Sequence, residues 1–174
     1  MRSGQNDTCL EKRARLSDTS AMNKVFRLQP LTEYESDFAR WCSEQGALLR
    51  DGRLDALDRE NLAEEIESLG RSQEDEIESR MKVLLVHLLK WKFQPEKQKM
   101  GWKATIREQR GRIAKRISKS PSLRGYPAEI LSEEYAYAVP DAATETGLSE
   151  EMFPATCPFT IEQILDLNWL PEAE

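Results

Sequence analysis

Residues 72–94, SQEDEIESRMKVLLVHLLKWKFQ, constrain this chain more than any other stretch. Ser72 offers an N-cap, Asp75 stands at the capping-box position, and Glu74, Asp75 and Glu76 form an acidic first turn. From Met81 to Leu89 the segment is apolar on nearly every side, and Pro95 ends it. A helix that is apolar all round lies inside a bundle, covered by other helices. The apolar run is far shorter than the ~20 residues needed to span a membrane. A buried central helix over 73–93 is therefore expected.

The rest of the chain must supply what covers it. The 174 residues are enough for one domain with a real core, and eight Gly and eight Pro are few for an all-β fold. Residues 1–30 are polar, mixed in charge and without periodicity, which reads as a disordered tail. Met22, just ahead of Val25, Phe26 and Leu28, could be the natural start. One helical domain is expected over 31–171.

Within it, Thr32 and Glu35 read as a capping box for a first helix that reaches Arg50, with Tyr34, Phe38, Trp41, Leu48 and Leu49 as its apolar face. Asp51-Gly52 marks a turn. Asp55 caps a second helix over 56–69, with Leu62, Ile66 and Leu69 as its stripe and Gly70 as a left-handed C′ residue. Because Ser72 follows at once, the second helix and the central helix are expected to form an antiparallel hairpin.

A fourth helix is expected over 102–119, with Trp102, Ile106, Ile113 and Ile117 on one face. Pro127 suits the first turn of a fifth, which carries Ile130, Leu131, Tyr135 and Val139. Pro140 should kink or end it, a second segment reaching Gly147. Residues 148–159 read as an extended wrap. Thr160 and Gln163 form a capping box for a short helix 161–166, and Trp169 and Leu170 a terminal anchor. The fold expected is all-α: a five- or six-helix bundle with a C-terminal wrap.

The blocks ENLAEEIESLGRS (60–72), LLVHLLKW (84–91), QP (94–95), WKATIREQR (102–110) and CPFTIEQILDLNWLP (157–171), with Tyr34, Asp37, Phe38 and Trp41 ahead of them, resemble the bacterial family filed as domain of unknown function 29. The resemblance covers about 34–171. It implies a small, soluble, all-helical protein and no established activity, so it leaves function open.

Two constellations could carry chemistry. On helical wheels, Arg80 and His87 flank the apolar face of the central helix, while Asn61 and Glu65 flank the stripe of the second. A hairpin could bring them together as an acid–base or ligand site. The leading reading is a structural network in which Glu65 holds His87, since an unpaired buried polar group is costly. The other constellation is charge segregation. Residues 55–79 carry ten acids against Arg59 and Arg71, and residues 80–119 thirteen bases against Glu96 and Glu108. Arg107, Arg112, Lys115 and Arg116 could contact phosphates. Solvated or intramolecular pairing is the leading reading there too.

Other chemistries lack their signatures. There is no phosphate loop, no GxGxxG, no HExxH and no GxSxG. One His and three scattered Cys make no zinc site and no disulfide framework. Neither metal nor cofactor is expected, and the N-terminal sequence has no signal-peptide run. The expectation is a cytoplasmic, non-enzymatic protein that binds another macromolecule, a protein rather than a nucleic acid. The alternative is an enzyme or small-ligand binder using Glu65 and His87.

Overall fold

The computed structural model describes residues 31–172. The tail and the alternative start at Met22 lie outside the described residues. Six α-helices follow in order: α1 Phe38–Arg50, α2 Arg59–Phe93, α3 Met100–Lys119, α4 Tyr126–Glu129, α5 Leu131–Thr146 and α6 Ile161–Leu165. Short 3₁₀ turns stand at Leu54–Ala56, Pro95–Lys97, Pro121–Arg124 and Glu150–Met152. No strand occurs among the described residues. The fold is all-α, as the periodicity predicts.

The largest departure from the sequence reading is α2. The second helix and the central helix are one continuous helix of 35 residues, passing through Gly70 and Ser72 without a break. Gly70 is helical, not left-handed; the positive-φ glycines among the described residues are Gly52 and Gly147. Ser72 caps nothing, and its hydroxyl donates to Leu69 O (2.9 Å) within the helix. A mid-helix glycine costs only ~1 kcal/mol relative to alanine. That is too little to break a helix anchored on both sides.

The described residues divide into two compact units, one ending at Ile66 and the other beginning at Glu67. In the first, α1 does not start at a Thr32 box. Asp37 is its N-cap, accepting from Arg40 N–H (3.0 Å). Thr32 is occupied elsewhere: its N–H (2.7 Å) and hydroxyl (3.1 Å) both donate to Glu44, a buried carboxylate that also accepts from Arg40 Nε (2.9 Å). Trp41 and Leu48 are buried, and the Tyr34 and Phe38 rings pack against Trp41 at 5.0 and 5.9 Å between centroids. Asp58, not Asp55, tops α2. Its carboxylate accepts from Trp41 Nε1 (3.1 Å) and Asn61 Nδ2 (2.7 Å), while its own N–H donates to Gln45 Oε1 (2.9 Å).

The second unit holds the main core. Ile77, Met81, Leu84, Leu85, Leu88 and Leu89 of α2 are fully buried with Ile106 and Ile113 of α3, Ala138 and Ala142 of α5, and Ile164 of α6. Polar pairs along the flanks set the topology. Gln73–Ser120, Glu76–Arg116 and Gln109–Arg80 run α3 antiparallel to α2. Lys82–Asp141 and Lys90–Glu145 run α5 in the same direction as α2.

Pro140 lies inside α5 without ending it, and the helix closes at Gly147 (φ 75°). Pro140 and Ala136 are both exposed, so the carbonyl robbed of its N–H partner faces water. Thr160 and Gln163 form the expected reciprocal capping box, at 3.0 and 3.3 Å. Trp169 packs edge-on to Phe159 with centroids 5.5 Å apart, and with Leu170 it lies against the core.

Candidate functional site

The residues singled out from the sequence fall into separate local networks. Asn61 serves the start of α2 through Asp58, whose carboxyl its side chain holds below the usual carboxylate range, with help from Trp41. Glu65 accepts from the Tyr34 hydroxyl, a bond that pushes the phenol up to about 12. Arg80 reaches Gln109 Oε1 (3.3 Å) and lies 3.7 Å from Glu76, and its Nε is buried without a partner among the described residues.

His87 bonds through Nδ1 to Val83 O (2.9 Å), one turn back on its own helix. Burial, then the nearby Lys90 charge, push its imidazole below the ordinary value, although Val83 O and Glu145 oppose the shift. With Nδ1–H donating, the neutral ring leaves Nε2 as acceptor. The pairing of His87 with Glu65 expected from a hairpin therefore does not form. Each is held within its own unit instead, Glu65 by Tyr34 and His87 by Val83 O.

The basic residues also disperse. Arg112 pairs with Glu108 (2.9 Å) on an exposed face, and Arg116 pairs with Glu76. Arg107 and Lys115 are exposed. Arg107 lines a small cavity of about 120 Å³ with Lys103 and Asn168.

Two features of the second unit escaped the sequence reading. The first surrounds Lys90, which directly follows the apolar run and is 5% exposed. Its ammonium pairs with Glu145 and lies 4.6 Å from the Trp102 ring centroid. An ammonium among leucines must find a counter-ion, so the need was visible, but nothing local pointed to a carboxylate 55 residues away.

The second is Arg110, one of the thirteen bases of residues 80–119, which is 2% exposed. Its guanidinium donates to three backbone carbonyls of the C-terminal segment, Ile164 (2.6 Å), Trp169 (2.7 Å) and Gln163 (3.1 Å). These bonds clamp α6 and the terminal wrap onto α3. Burial pushes its pKa down, and Asp166 opposes that shift. A signal existed: Ile106, Gln109, Arg110 and Ile113 repeat at the spacing of one buried stripe, and all four are buried.

Beside Arg110 lies an open groove of about 500 Å³ between α3, the Pro121–Arg124 turn and α6. Ile113, Ala114, Ile117, Pro121 and Leu165 give it aliphatic walls. Burial raises the Cys157 thiol, against the thiolate that a cysteine nucleophile needs. Among the described residues, no three His, Cys, Asp or Glu side chains gather as metal ligands, and no helix is long and apolar enough to cross a membrane.

Fold and site thus define a small all-helical protein held together by buried polar clamps. The family described as "Domain of unknown function DUF29" matches residues 33–170, most of the chain, and the protein belongs to that family. No curated protein and no solved structure matches it.

Proposed function

We propose that this chain is a non-enzymatic interaction protein whose partner is another protein. One observation carries the reading. Ile66 and Leu69, three residues apart on α2, are 65% and 66% exposed. They continue a helical stripe begun by the half-buried Leu62. Single exposed aliphatics need no explanation, whereas an uncovered stripe marks an interaction face. Glu60, Glu64 and Glu67 are exposed as well, on the opposite side of the helix from that stripe, and the stripe itself suits the apolar seam of a partner helix. The same carboxylates repel a polyphosphate. The ion pairs of Arg112 and Arg116 with Glu108 and Glu76 further favour protein over nucleic acid. The free thiols of Cys42 and Cys157 support a cytoplasmic setting.

Photo-crosslinking in the native host tests this. A photoreactive phenylalanine analogue replaces Ile66, Leu69 or Ser68, the last about 200° around the helix from Ile66. Discrete protein adducts are expected from positions 66 and 69 and not from 68. The double substitution Ile66→Asp with Leu69→Asp should leave the melting temperature unchanged and prevent co-purification of the crosslinked partner. No adduct, or equal adducts from all three positions, removes the proposal.

A further inference from the structure

We infer that the groove between α3, the Pro121–Arg124 turn and α6 binds a small amphipathic carboxylate, an aliphatic chain ending in a carboxylate group. The inference is independent of the partner surface on α2. Its volume of about 500 Å³ falls within the roughly 300–1,000 Å³ of small-molecule sites. Its apolar walls are aliphatic, which suits a flexible chain better than a stacked ring.

Charge selects the head group. Arg110 lines the groove and is buried, yet its three bonds all go to neutral carbonyls. Asp166 acts on it only at a distance. A guanidinium has five N–H donors, so three bonds leave two unassigned. A buried cation without a bonded anion is costly, and an anion in the groove would offset that cost. Arg124 lines the same groove, is exposed, and makes no ion pair with any described residue. Two arginines thus line one aliphatic groove, and a carboxylate meets the planar fork of a guanidinium with two parallel hydrogen bonds.

Isothermal titration calorimetry of the full chain with decanoate tests the assignment, with decan-1-ol and decyltrimethylammonium as controls. Decanoate should bind saturably, one per chain, and at least about tenfold more tightly than either control. Arg124→Gln should weaken decanoate by about tenfold and leave decan-1-ol unchanged. Ala114→Trp, at an exposed position on the groove wall, should abolish decanoate binding without lowering the melting temperature. Absence of saturable binding to the parent protein overturns the inference. So does equal binding of the cationic control, or unchanged affinity in Arg124→Gln. Were Ala114→Trp to unfold, the Arg124→Gln comparison still decides.

Discussion

The substitution Gly70→Ala separates the two ways in which the middle of this chain could fold. In a continuous α2, residue 70 is helical, exposed, and has room for a side chain: a Cβ built there meets nothing within 4 Å. Alanine then removes the entropic penalty of glycine and should stabilise the helix by about 0.5–1 kcal/mol. Were Gly70 instead the left-handed C′ residue of a helix ending at Leu69, alanine would suffer the Cβ–carbonyl clash and cost about 1–2 kcal/mol. The two arrangements predict opposite signs. Gly147→Ala is the internal control, because Gly147 caps α5 at φ 75° and should lose stability. Urea unfolding followed by circular dichroism reports the global sign, and amide hydrogen exchange over 66–74 reports the local one. Slower exchange with a raised midpoint is expected for Gly70→Ala. A loss comparable to that of Gly147→Ala would refute the continuous helix and restore the hairpin.

Three further perturbations follow from the packing. Leu84→Ala, at a fully buried position, should cost about 2–5 kcal/mol in a denaturant melt, whereas Glu64→Ala on the exposed face should cost next to nothing; similar losses would invalidate the assigned faces. Arg110→Met removes three clamping bonds and leaves three carbonyls unsatisfied, so a loss of about 3 kcal/mol or more is expected, with faster proteolysis near the C-terminus; an unchanged melt would show that the wrap is held by Trp169 and Leu170 alone. His87 titrates below its ordinary value when folded, so the unfolded chain binds its proton first as pH falls; its contribution to stability is complete above about pH 6.5 and is lost on acidification through the folded value. His87→Gln should flatten that part of the melting-temperature profile, and an unaltered profile would show that another group carries it.

Much of this protein follows from residue spacing alone. Ile77, Met81, Leu84 and Leu88 stand at the spacing of one helix face, and all four are fully buried. Thr160 with Gln163 and Gly147 marked helix ends through bonds between near neighbours, which is why they were readable. Thr32 shows the limit of such signals: the same local motif was overridden when Glu44, one helix face away, took both of its donors.

Tertiary structure decided what local chemistry left balanced. Gly70 and Ser72 suit a helix break and a helix interior almost equally, within ~1 kcal/mol, and the anchoring of α2 on both sides of them settled on one helix. In that helix Ile66 and Leu69 are exposed. The clamps belong to the same class. Lys90 and Arg110 escaped the reading of the sequence, and the fold buries both, so each needs a partner. Which carboxylate or carbonyl answers depends on where the chain returns more than fifty residues later. A buried charge sets a requirement for compensation, but its electrostatics are indifferent to chain position, so only the folded path selects the group that meets it.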